Sequence, residues 1–162
     1  MCQKSQPPQS LAKDEEVGVS ASNRIRGIVL HDILAKVAQA DDLSRAVDHA
    51  RMTGELTDEE AGAAMEHLSK ALCSVEDRGW FSGDAQKMLN EVSLIDIDGQ
   101  IYRPDRVVVK DGAVVIVDYK FGNHKQQYIR QVRKYMDIWR RMGYGNVSGF
   151  LWYVDALSVV EV

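Results

Sequence analysis

Cysteine is scarce in this chain. Its two copies, Cys2 and Cys73, lie far apart, and no Cys-x-x-Cys occurs. They support neither a disulfide framework nor a zinc or iron–sulfur site, and the expected compartment is the cytoplasm. Long apolar runs are also missing. No stretch is long enough to span a membrane, and no basic-then-apolar leader opens the chain, so no membrane role is expected. A large charge of one sign is absent too, the net being −4. What is present is 162 residues with 45% hydrophobic and 27% charged content, an ordinary globular composition sufficient for one core and short for two.

The densest signal runs from Tyr102 to Lys120, YRPDRVVVKDGAVVIVDYK. Val and Ile dominate two arms joined by Asp111-Gly112, the strongest short hairpin signal, so two antiparallel strands are expected. With a two-residue loop Lys110 faces Ala113, and the same register sets Asp105 across from Asp118 on one face. Carboxylates opposed in this way, with Cβ atoms about 4.5–5.5 Å apart, destabilise a sheet unless they share a proton or a cation. A divalent ion is the simpler remedy. Strand alternation points Lys120 to the same face as Asp118, where its ammonium can hold a water or a phosphate oxygen beside an ion.

Around this hairpin the chain divides readily. Residues 1–19 are polar, contain Pro7-Pro8 and show no sustained periodicity; they are expected to be a disordered linker or tail ahead of a single domain, 20–162. A helix is predicted from Ser22 or Asn23 to about Gln39, with Ile25, Ile28, Leu34, Val37 and Ala38 on its apolar face. His31 falls on that inward side, where a core histidine and a metal ligand are both open readings. Gly27, one turn earlier, costs about 1 kcal/mol of helix stability relative to Ala, consistent with close approach to the sheet. Asp41–Arg51 and Thr57–Leu72 read as two further helices, the second opening with a Thr57…Glu60 capping box. Trp80-Phe81 reads as core packing ahead of a short amphipathic turn through Met88-Leu89.

Glu91 opens EVSLIDI, read as a strand that turns at Asp98-Gly99 into the Tyr102 strand, with Asp96 and Asp98 at turn and surface positions. Pro104 lacks a ladder donor, so the Tyr102 strand should be an edge or be bulged just before Asp105. A helix from about Lys125 to Met142 follows, with Tyr128, Val132, Tyr135, Ile138, Trp139 and Met142 as its apolar stripe. NVSGFLWYVD then reads as a strand returning parallel to a core strand, and SVVEV as a short edge strand. Between His124 and Met142 six basic side chains face one acid, a balance of +5, which leaves −9 for the rest. Such a stripe suits phosphate contact, and equally a solvated helix face.

Pro104-Asp105 and Asp118-Tyr119-Lys120 stand as PD…DYK, which resembles the signature of the PD-(D/E)xK nucleases. Gly27-x-x-x-His31 upstream, Glu91 before the hairpin and Gln131-x-x-x-Tyr135 on the next helix resemble the RecB/AddA branch, over roughly residues 24–155. The resemblance implies a mixed α/β fold with a restriction-endonuclease-like core: a central mixed β-sheet flanked by helices, with an N-terminal helical portion. It implies Mg²⁺ or Mn²⁺ held by His31, Asp105, Asp118 and the Tyr119 carbonyl, with Asp105, Asp118, Lys120, Glu91, Gln131 and Tyr135 as catalytic residues. Arg106, Lys125, Arg130, Arg133 and Lys134 are the expected DNA contacts. The implied activity is an exonuclease of recombination and double-strand-break repair, as the C-terminal domain of a UvrD-like helicase–nuclease, with DNA and a helicase domain as partners. An inactive DNA- or helicase-binding copy and a stand-alone phage- or restriction-type nuclease are the alternatives. The four-cysteine iron–sulfur staple of some relatives has no counterpart here.

Overall fold

The computed structural model describes residues 10–162, with side chains from Ser22 onward. Three helices come first: α1 (Ser10–Lys36), α2 (Leu43–Met52) and α3 (Asp58–Cys73). The strands β1 (Lys87–Asn90), β2 (Leu94–Ile95), β3 (Ile101–Tyr102), β4 (Arg106–Lys110) and β5 (Ala113–Lys120) follow. Helix α4 (Gln126–Arg141) then leads to β6 (Asn146–Tyr153) and β7 (Ser158–Glu161). Among the described residues no helix is long and apolar enough to cross a membrane.

The main sheet has the order β1-β4-β5-β6-β7. Its β4–β5 hairpin has the expected register, from Lys110 opposite Ala113 to Arg106 opposite Val117. Asp111 and Gly112 both take positive φ, 50° and 77°, which a two-residue turn needs to match the strand twist. Helix α4 is the crossover that makes β6 parallel to β5, and β7 closes the edge as read from SVVEV.

Helices α1 to α3 cover one face of the sheet, packing Leu30, Ile33, Leu34, Val47 and Leu68, with Trp80 from the connection that follows, against Val117, Tyr119 and Trp152. Helix α4 covers the other, where Val132, Tyr135, Met136 and Trp139 meet Val107, Val114, Ile116 and Leu151. Contact with β6 is close enough to require a glycine. A Cβ on Gly149 would lie 2.5 Å from Met136 Sδ and 2.6 Å from Val132 Cγ1.

Several local expectations differ from the structure. Helix α1 extends back to Ser10 rather than starting at Ser22 or Asn23, and residues 1–9 of the expected tail lie outside the described residues. Ile25 and Ile28 are exposed, because the cap formed by α2 and α3 covers α1 from Leu30 onward. Met88-Leu89 belongs to a strand, β1, paired along β4, where an amphipathic turn was predicted. The predicted EVSLIDI strand shrinks to Leu94–Ile95, which forms with β3 a separate two-stranded sheet. Its turn, residues 97–99, holds one residue more than a two-residue hairpin, since Ile95 pairs with Ile101 and the Asp96 N–H donates to the Gln100 carbonyl at 2.9 Å. The strand expected to run through Tyr102 is broken at Arg103-Pro104-Asp105, as the missing proline donor requires, while β4 is an inner strand.

Candidate active site

The break before β4 frees Asp105 from the ladder and turns its carboxylate to two donors. Asp105 Oδ1 meets His31 Nε2 at 2.8 Å, and Asp105 Oδ2 accepts the Tyr119 backbone N–H at 2.6 Å. His31 is delivered from the last two turns of α1, and Tyr119 sits between Asp118 and Lys120 on β5. Lys120 pairs with the Asp118 carboxylate, as same-face alternation requires. Its Nζ donates to Gln131 Oε1 at 3.5 Å, and Gln131 Nε2 donates to the Tyr135 hydroxyl at 2.6 Å. The Tyr135 hydroxyl in turn donates to the Arg103 carbonyl at 3.5 Å, which ties α4 to the strand break. His31, Asp105, Asp118, Lys120, Gln131 and Tyr135 are thus brought to one end of the sheet, between α1 and α4.

The electrostatics are those of a site short of positive charge. Asp118, with 3% of its side chain exposed, is pushed up to about 6 by burial and then by the Asp105 charge, against the pull of Lys120. His31 is raised above the usual imidazole value by its hydrogen bond to Asp105, with burial opposing and the charges of Asp105, Glu91 and Asp32 adding. Burial and the Asp118 charge raise Tyr135, keeping its hydroxyl a donor. Glu91 is exposed and follows β1 in a left-handed conformation, φ 50°, with its N–H donating to the Asp105 carbonyl at 2.9 Å. An acidic side chain held there, near His31, adds to the negative field.

These residues suit a hard divalent cation. Two carboxylates and one imidazole are a donor set for Mg²⁺ or Mn²⁺ rather than for structural zinc. Asp118 Oδ2 is buried and, although paired in charge with Lys120, completes no hydrogen bond of ordinary geometry. Among the described residues no three His, Cys, Asp or Glu side chains are drawn together as a ligand set. His31 and Asp105 close on each other, and Asp118 on Lys120. The Tyr119 side chain packs in the core under α1 to α3, so only its main chain is available to this pocket.

A cleft of about 750 Å³ opens beside His31, lined by Arg24, Arg26, Gly27, Asn123, Lys125 and Tyr128, among others. Gly27 faces Phe121 there, where a Cβ would lie 3.4 Å from Phe121 Cβ. Of the expected DNA contacts, Lys125 lines this cleft, and Arg130 and Arg133 are exposed along α4.

The expectation for Arg106 is corrected. It is fully buried, donating to the carbonyls of Trp80, Val37 and Ala38 and to Asn90 Oδ1, with its guanidinium over the Phe81 ring at 3.9 Å. Lys134 is likewise committed, pairing with Asp96, which Arg141 also holds at 2.8 Å. Asp96 is therefore buried, not a surface turn residue, and it clamps the β2–β3 hairpin to α4. Sequence spacing gives no warning of either arrangement, because the partners are distant in the chain.

A mixed sheet sandwiched between helices, with paired acids and a lysine at its end, is a restriction-endonuclease-like fold. A family model described as the PD-(D/E)XK nuclease superfamily matches residues 9–161, and the chain belongs to that superfamily. Membership implies a phosphodiester-hydrolysing nuclease, and nucleases of this kind generally use divalent metal ions. No curated protein matches the chain.

Proposed function

We propose that the domain hydrolyses DNA phosphodiester bonds with Mg²⁺ or Mn²⁺ held by His31, Asp105, Asp118 and the Tyr119 main-chain carbonyl. One observation carries this reading: a buried carboxylate, Asp118, paired with Lys120, stands beside a second acid, Asp105, and burial and that acid's charge push it up to about 6. Fold stability alone does not favour that arrangement, and a bound cation removes its cost. When present, the ion supplies a water of lowered pKa and positive charge against the pentavalent transition state.

The chain's own groups do the rest. Lys120, steadied by Asp118 and Gln131, orients the attacking water and screens the phosphate. Tyr135 fixes Gln131, and Glu91 contributes negative charge beside His31. Lys125, Arg130 and Arg133 meet phosphates along the strand, giving salt-dependent affinity. The finer reading is an exonuclease leaving 5′-phosphate and 3′-hydroxyl ends, cytoplasmic, working in recombination and double-strand-break repair as the C-terminal part of a helicase–nuclease. The joint presence of Gly27-x-x-x-His31, PD…DYK and Gln131-x-x-x-Tyr135 supports it by resemblance to the RecB/AddA branch.

Cleavage of end-labelled linear and circular DNA in Mg²⁺, Mn²⁺, Ca²⁺ and EDTA tests the reading. Degradation of linear but not circular DNA, abolished by EDTA, is expected. Cutting of circles indicates an endonuclease, and DNA binding without cutting in any metal indicates an inactive binding module.

A further inference from the structure

Lys120 carries more of the proposed chemistry than its polar contacts explain. Its ion pair is with Asp118, one of the residues assigned to the cation, and its bond to Gln131 Oε1 is long at 3.5 Å. A third neighbour is aromatic: Lys120 Nζ lies over the Tyr128 ring, 4.4 Å from its centroid. Tyr128 stands in the first turn of α4, half-buried, with its backbone N–H donating to the Lys125 carbonyl at 3.1 Å, and it lines the cleft beside His31. The ring packs against the core cluster that includes Tyr153, and Lys125 Nζ also lies over it, farther off at 5.9 Å from its centroid. His124 stacks on Tyr153 with centroids 3.6 Å apart, and Tyr153 is the register partner of Lys120 across β5 and β6.

We propose that Tyr128 is a positioning residue for Lys120, its ring face holding the ammonium at the reacting centre while the carboxylates serve the metal. The inference rests on the nuclease reading. A third carboxylate at this place would steady the lysine equally well, but it would compete for the cation and repel the phosphate. An aromatic face attracts an ammonium through its quadrupole and offers a hard cation no ligand of comparable strength. The ring is what matters, so phenylalanine should serve and an aliphatic side chain should not.

The test compares Tyr128→Leu and Tyr128→Phe in two measurements. In metal-free protein, NMR of the Lys120 Cε methylene should show an upfield ring-current shift in wild type and Tyr128→Phe that is lost in Tyr128→Leu. In Mg²⁺-dependent cleavage, Tyr128→Leu should lower kcat by about ten-fold, with KM unchanged, the loss of one partly desolvated cation–π contact. Tyr128→Phe should restore kcat to within about two-fold of wild type. The proposal is overturned if Tyr128→Leu cleaves like wild type, if Tyr128→Phe falls as far as Tyr128→Leu, or if the loss is confined to KM. A wild-type protein that cleaves nothing overturns the nuclease reading and this role with it, whereas active wild type with an active Tyr128→Leu overturns this role alone.

Discussion

His31 and Asp105, 74 residues apart in the chain, meet at 2.8 Å between Nε2 and Oδ1, joining α1 to the broken strand that precedes β4. The pair is a contact between two of the residues assigned to the metal, and an ion would take its place. Replacing His31 by alanine should therefore weaken Mg²⁺ binding by at least about ten-fold while leaving a folded protein. Isothermal titration with Mg²⁺ and a thermal melt check both parts; unchanged affinity would remove His31 from the site.

Proton linkage gives a second prediction, for metal-free protein. Burial and the Asp105 charge push Asp118 up to about 6 in the fold from its ordinary 3.8, so the native state holds a proton that the unfolded chain has already lost across that interval. Stability should fall as pH rises through this window. His31, raised above 6.5, contributes stability below that value that is lost as pH rises through its folded pKa, in the same direction. Melts in EDTA between about pH 4 and 8 should show Tm falling with pH in wild type; in Asp118→Asn the fall below about pH 6 should be lost while the His31 fall above 6.5 remains. Saturating Mg²⁺ should offset the fall.

Arg106 tests the fold rather than the chemistry. Its guanidinium satisfies the Val37 and Ala38 carbonyls at the end of α1, the Trp80 carbonyl and the Asn90 amide oxygen. Arg106→Ala strands those acceptors and opens a cavity, and it should cost about 3–5 kcal/mol in a denaturant titration. Lysine should rescue little, since one ammonium cannot span the same set of acceptors. A variant that keeps its stability and loses only DNA affinity would restore the original expectation for this residue.

How far the sequence could be read depended on the range of the interaction. The β4–β5 hairpin was readable because Asp111-Gly112 and two Val/Ile arms fix turn, register and facing at once, which also put Asp118 and Lys120 together. The Thr57…Glu60 capping box was readable for the same local reason, with Glu60 N–H donating to Thr57 Oγ1 at 3.2 Å and Thr57 N–H to Glu60 Oε2 at 2.8 Å. Strand β1 was not, because Lys87–Asn90 is short and draws its stability from pairing along β4. Arg106 and Asp96 were misread since charge normally means exposure, and only tertiary partners reverse that rule. His31 was ambiguous from its helix alone; the family pattern, not spacing, pointed it toward Asp105.

Gly149 is the clearest feature that pattern reading missed, standing as an ordinary residue in an apolar strand. With Met136 Sδ and Val132 Cγ1 occupying the space of its absent side chain, Gly149→Ala should cost about 1–3 kcal/mol, and Gly149→Val more. Denaturant unfolding of both variants checks the order. Equal stability of all three proteins would mean that α4 can lift from β6 freely, contrary to the packing described.

The central claim is that Asp118 binds a cation for catalysis and is held in a costly state to do so. Its most direct test is Asp118→Asn, measured for Mg²⁺-dependent cleavage of end-labelled DNA beside a thermal melt in EDTA at about pH 8, above the Asp118 value. The account predicts a variant that no longer cleaves yet melts at or above the wild-type temperature. A variant that still cleaves at the wild-type rate would contradict it.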